Sequence, residues 1–150
     1  MLSYKRIKDF VLRISTWVNS TYDSDWAKSQ IVWRYQDENN WFGFRKYGTY
    51  SPYDLPHYLM KIKDGVKSFY KTYDSLEAAG QWIIKKAIVY NTEQTFEHSQ
   101  WGSYSFTESE LNQTGKIKIM RHNQYTNQDF IDYLYIRQYT KPTPTVFIQE

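Results

Sequence analysis

The 150-residue chain contains no cysteine, which removes disulfide scaffolds, thiolate metal sites and cysteine nucleophiles together. Glycine (6) and proline (4) are sparse, and there is no internal repeat or long low-complexity segment. No apolar run approaches the roughly 18 residues of a membrane span. The opening Met1-Leu2-Ser3-Tyr4-Lys5-Arg6 leads into Lys8, Asp9 and Arg13, which is neither a signal segment nor a span. The expectation is a soluble, intracellular protein with no membrane partner. What is abundant is aromatic: 15 Tyr, 8 Phe and 6 Trp. Such rings bury large areas, so residues 1–150 are expected to fold as one unit around one core.

The formal net charge of +3 divides unevenly. Residues 1–21 hold four basic side chains against one acid, and residues 92–150 hold five against seven. In 1–21, Tyr4, Ile7, Val11, Ile14 and Val18 recur at three- and four-residue spacing, predicting an amphipathic helix. From Gln30 the character turns to strand: residues 31–35 and 41–47 flank a polar turn at 36–40, and residues 57–63 turn at Asp64-Gly65 into 66–73. Asp74 with Glu77 resembles a capping box ahead of the stripe Leu76, Ala79, Ile83, Ala87 and Tyr90, predicting a helix over 74–90. Beyond it, 116–120 and 130–139 read as strands, Lys141-Pro142-Thr143-Pro144 as extended chain or a turn, and 146–148 as an edge strand. The expected fold class is α+β: an antiparallel sheet backed by the helix 74–90 within a core of 30–91, with an N-terminal helix and a β-rich extension over 92–150.

The register at Asp64-Gly65 decides where the lysines go. A two-residue turn pairs Lys63 with Val66 and sets Lys61 and Lys63 beside Ser68 and Tyr70. A three-residue loop pairs Ile62 with Val66 and gathers Lys61, Lys63, Lys67, Lys71, Phe69 and Tyr73 on one face, away from the helix. The second is preferred, because unpaired lysines under a helix would cost several kcal/mol. The resulting basic, aromatic face suits a polyanion.

Phe42-Gly43-Phe44-Arg45, Lys61-Ile62-Lys63-Asp64, Lys67 to Ala79 and Lys86 to Asn91 together resemble the ethylene-response-factor (apetala-type) DNA-binding domain, over residues 41–91 only. Integrase arm-binding domains share its outline of three strands and a helix. The resemblance implies that the sheet enters the major groove of duplex DNA, with contacts from Arg45, Tyr47, Lys61, Lys63, Lys67 and Phe69; the register reading adds Lys71. Lys and Phe stand where that family favours Arg and Trp, which points to phosphate contact more than base readout.

No enzyme is expected. His57, His98 and His122 lie apart, His122-Asn123 lacks a metal-site partner, and Glu108, Glu110, Lys116 and Lys118 do not form a nuclease motif. Glu93 and Glu97 read as solvated acids, and each histidine as a surface or hydrogen-bonded structural group. No cofactor or metal is called for. The rival function is a protein-interaction module, such as a small phage-type inhibitor, using Trp33, Trp41, Tyr47, Tyr50, Tyr53 and Trp101. The same rings could stack on sugars, but a carbohydrate module would be expected in a secreted chain.

Overall fold

The computed structural model describes residues 2–3, 7–18, 28–45, 49–50, 53–54, 57–75, 77–78, 80–122 and 130–140. These residues form strands β1 (Leu2–Ser3), β2 (Phe10–Val18), β3 (Lys28–Asp37), β4 (Asn40–Arg45), β5 (Thr49–Tyr50), β6 (Tyr53–Asp54) and β7 (His57–Lys63). They continue with β8 (Val66–Tyr73), β9 (Gln81–Tyr90), β10 (Glu93–His98), β11 (Gly102–Thr107), β12 (Lys116–His122) and β13 (Phe130–Gln138). Six strands pair in the order β1-β12-β3-β4-β7-β8 and five in the order β11-β10-β9-β2-β13, with β5 and β6 as a separate pair. No helix occurs among the described residues, so none there is long and apolar enough to cross a membrane.

The two large sheets pack face to face as a β-sandwich, because each strand of a half-buried sheet presents alternate residues to one side. Phe10, Leu12 and Ile14 of β2 are buried against Trp33, Phe42 and Phe44 of the six-stranded sheet. Phe44 stacks on Phe96 of β10 at 4.8 Å and 17°, and the Trp33 Nε1–H donates to Gln94 Oε1 at 2.7 Å. A smaller cluster of Val32, Trp41 and Met60 is buried on the opposite side of the six-stranded sheet, flanked by Tyr35, Tyr58 and Ile62.

This architecture corrects the α+β expectation. The strands read at 31–35, 57–63, 66–73 and 116–120 are present, the one read at 130–139 is β13, ending at Gln138, and the hairpin partner begun at Trp41 is β4. Both expected helices are absent from the described residues. Within 1–21, Phe10, Leu12 and Ile14 face inward while Arg13 is exposed, a period of two. Within 74–90, Ile83, Lys85, Ala87 and Val89 face inward and alternate with half-buried neighbours. β-branched residues at Val11, Ile14, Thr16, Ile83, Ile84, Ile88 and Val89 favour this extended form. Glu77 does not cap a helix; its carboxylate lies 2.7 Å from the Lys85 ammonium and 3.0 Å from His98 Nε2, in the interior. Residues 141–150, including the expected strand at 146–148, lie outside the described set.

The turn at Asp64-Gly65 is also corrected. Both residues have positive φ, 50° and 80°, and Lys63 pairs with Val66, the geometry of a two-residue primed turn whose twist matches the flanking strands. Lys61 therefore faces the five-stranded sheet.

Arg34 sits where the β3–β4 register shifts, with φ of 49°. Relative to β12, β3 carries one extra residue here, and the Arg34 guanidinium lies in the interior, where it donates to the carbonyls of Leu111 (3.1 Å) and Asn91. Burial lowers Arg34 to about 10, with Asp9 at 4.0 Å acting in the opposite direction. Gly115 crosses this point so closely that a Cβ there would stand 2.8 Å from the Tyr35 nitrogen. Backbone cannot yield as a side chain can, so Gly115→Ala is expected to cost about 3 kcal/mol and lower Tm by roughly 6–12 °C. An unchanged melting curve would refute this close-approach account.

Candidate functional site

The residues read from the sequence as a DNA-binding face do not share a face. Lys61 points between the sheets, 8% exposed, and its ammonium meets Glu108 Oε2 at 2.6 Å and also Glu110. Tyr70 donates to the same Glu108 oxygen. Burial alone would lower Lys61, but the hydrogen bonds to Glu108 and Glu110 outweigh it and hold the ammonium above the ordinary lysine value. Burial likewise pushes the Glu108 carboxyl up, and donors from Lys61, Tyr70 and the Glu110 N–H bring it below its ordinary value of 4.5. Lys63 pairs with Asp64 at the turn. Lys67 and Phe69 pair with Ile62 and Met60 on the other side of the sheet. The Phe69 ring lies 4.6 Å from Tyr58 and is 53% exposed. Lys71 sits 5.9 Å from the Tyr73 ring, Arg45 is half-buried on β4, and Tyr47 lies outside the described residues.

Duplex DNA binding through a lysine/aromatic face is thereby overturned: the helix behind the sheet is absent from the described residues, and Lys61 and Lys67 are on opposite sides. The rival protein-binding surface is not supported either, since Trp33 and Trp41 are only 1% and 5% exposed. Trp101 stacks on His98 at 3.9 Å. Among the described residues, no three His, Asp or Glu side chains gather as a metal site.

An open, chemically varied surface lies instead on the outer side of the five-stranded sheet. With Leu12, Ile14, Lys85 and Ala87 facing the core, Arg13 and Lys86 must face out. Strand register then sets Tyr135, Arg13, Lys86, Glu97 and Ser103 in one row across β13, β2, β9, β10 and β11. Lys86 bonds both Glu97 oxygens at 3.0 and 3.1 Å. The Arg13 guanidinium lies 5.4 Å from the Tyr133 ring centroid, and Tyr135 is 46% exposed. Two adjoining depressions share Arg13 and Lys86. One, of about 510 Å³, reaches Ile84, Glu97, Ser99 and Ser103; the other, of about 440 Å³, reaches Val11, Tyr133, Tyr135 and Arg137.

Sequence reading missed this surface because it assigned Arg13 and Lys86 to helices. The available signal was alternation, in Val11-x-Arg13-x-Ser15, Ile84-x-Lys86-x-Ile88 and Tyr133-x-Tyr135-x-Arg137.

No protein family matches the chain, and no curated protein does. Solved structures match it over most of its length. The carbohydrate-binding module CBM66 from Bacillus subtilis is 11% identical, covers 91% of this chain and 78% of its own, and has a TM-score of 0.60. Chicken galectin 2 is 6% identical, with 88% and 93% covered and a TM-score of 0.61. Congerin II, solved with lactose and MES, is 8% identical, with 91% and 95% covered and a TM-score of 0.60. At such identities the likeness is one of fold, and that fold is a sandwich rather than the ethylene-response-factor or integrase-arm sheet with its helix.

The Lys61 cluster predicts an acid-sensitive sandwich. Because the folded Glu108 value is depressed, its stabilisation is complete above the ordinary value of 4.5 and is lost as pH falls below it. Glu108→Gln is expected to cost roughly 1–3 kcal/mol near neutral pH and to flatten the acid limb of a denaturation profile. If the limb kept its slope in the variant, Glu108 would not be its source.

Proposed function

We propose that this chain is a non-catalytic saccharide-binding protein and that the outer face of its five-stranded sheet is the binding surface. The observation that carries the reading is the open row from Tyr135 through Arg13 and Lys86 to Glu97. A sugar ring offers hydroxyls that act as both donors and acceptors, together with patches of C–H. Guanidinium, ammonium, carboxylate and serine hydroxyl groups supply the complementary bonds, and an exposed tyrosine ring supplies an apolar platform. The two depressions meet at Arg13 and Lys86, so consecutive sugar units could lie side by side. The names of the similar structures, a carbohydrate-binding module and a lactose-liganded congerin, support the class of ligand.

The carboxylates favour binding over hydrolysis. Cleavage of a glycosidic bond by the usual route needs two carboxyl groups flanking it, whereas among the described residues Glu97 is the one carboxylate lining either depression. Glu108 and Glu110 are hydrogen-bonded to Lys61 at the edge of the sandwich. The outer side of the six-stranded sheet is less suited to sugar, because Val32, Trp41 and Met60 form a buried apolar cluster there.

A panel of neutral and acidic oligosaccharides, titrated calorimetrically, tests the reading. Tyr135→Ala is expected to weaken the best ligand about tenfold, near 1.4 kcal/mol, while Phe69→Ala on the other sheet leaves it unchanged. Equal losses in both variants, or no bound saccharide, would sink the assignment of this face.

A further inference from the structure

We infer that the saccharide held by the five-stranded sheet is anionic, with its negative charges read by Arg13 and Arg137. This rests on the saccharide-binding reading above and goes beyond it in naming the ligand's charge.

The inference comes from an imbalance built into the sheet. Arg13 of β2 stands directly opposite Lys86 of β9. On its other side it is opposite Tyr135, while Arg137 is opposite Val11, two residues before Arg13 on the same outward face. Arg13 is thus a direct neighbour of one cation and a diagonal neighbour of another. Like charges at such positions destabilise a sheet, and their side chains are close enough to interact. Lys86 is compensated, with both Glu97 oxygens at 3.0 and 3.1 Å. Among the described residues lining the depressions, the charged ones are Arg13, Lys86, Arg137 and Glu97, and the one carboxylate is already engaged by Lys86, so neither guanidinium has a counter-charge there. Arg13 has the Tyr133 ring at 5.4 Å in place of a counter-charge.

Such an arrangement is unfavourable until an anion arrives. Arginine in particular offers a planar fork of N–H donors that matches both oxygens of a carboxylate and fits sulfate or phosphate oxygens as well. Tyr133 and Tyr135 on the same strand lie among these guanidiniums, so a pyranose could rest on a ring while its acidic substituent reaches an arginine. The chemistry shared by the candidates is therefore an acidic sugar ring, whether uronate or sulfate ester. A bare polyanion would satisfy the charges and leave the rings unused.

The test uses the whole chain and four probes: hexagalacturonate, a sulfated galactan hexamer, neutral galactohexaose and polyglutamate of comparable charge. Expected is binding of at least one acidic hexamer about tenfold tighter than galactohexaose and polyglutamate, weakening as added salt screens the charges. Which acidic hexamer prevails identifies the substituent. Arg13→Gln and Arg137→Gln should each remove most of that preference. Arg13→Lys should restore only part of it, because the charge returns without the fork. Tm measured without ligand should hold or rise in both glutamine variants, since each relieves repulsion, so weaker binding would not reflect unfolding. Galactohexaose binding as tightly as the acidic probes, with loss in Tyr135→Ala, would overturn the charge inference and leave the saccharide reading standing. Polyglutamate binding as tightly as the acidic sugars, or a preference that survives both glutamine variants, would also overturn it. Failure of every sugar would remove both readings.

Discussion

Phe44 holds the two sheets in their mutual register. Its ring stacks on Phe96 at 4.8 Å and lies within about 6 Å of His57, Tyr73, His98 and Trp101, with the Lys85 ammonium 5.7 Å away. A side chain with that many partners in both sheets cannot turn outward without emptying the core, and a ring of this size lost from a packed interior costs several kcal/mol. Once Phe44 faces inward, strand alternation assigns every other position of β4, and pairing with β3 and β7 carries the assignment across the sheet. The outward placement of Arg13 and Lys86 follows from the same constraint seen from the opposite layer, because Leu12, Ile14, Lys85 and Ala87 occupy the inward positions.

Each sheet also sends a lysine into the interior, and each lysine is answered by a carboxylate from a connecting segment. Lys85 of β9 meets Glu77 at 2.7 Å, and Lys61 of β7 meets Glu108 at 2.6 Å. Neither pair is a large net source of stability, since desolvation offsets most of the attraction, but either member left alone would be an uncompensated charge. The pairs therefore fix where Glu77 and the segment 108–115 must lie. His98 shares Glu77, at 3.0 Å, and ties β10 to the first pair.

Much of the strand content was legible, because Asp64-Gly65 and the polar residues 36–40 punctuate apolar runs of strand length. The illegible part has a specific physical origin. Val11, Ile14 and Val18, and likewise Ile83, Ala87 and Tyr90, fall at spacings that fit a helical stripe as well as a strand partly buried on both sides. Their β-branched neighbours were the arbiter, and the resemblance of Asp74 and Glu77 to a helix cap outweighed them. The register reading had a sound premise, that an unpaired buried lysine is too costly; the acids that remove the cost, Glu108 and Glu110, lie more than forty residues away in the chain. The open face was invisible for the same reason, since its row of side chains comes from strands scattered between β2 and β13.

The lysines of β8 acquire a different meaning once their strand is placed. Among the described residues β8 ends the six-stranded sheet, and no described strand pairs with its outer side, beside Val66 and Phe69, which are 67% and 53% exposed. A strand edge of this kind, with two exposed apolar side chains, can template a strand from a second molecule. Lys67 and Lys71, both exposed, would have to be brought against that incoming strand, and the irregularity between the pairs at Leu59 and Met60 bends the rim away from a flat template. Charge placed on an exposed strand edge is one of the devices by which β-proteins oppose edge-to-edge pairing.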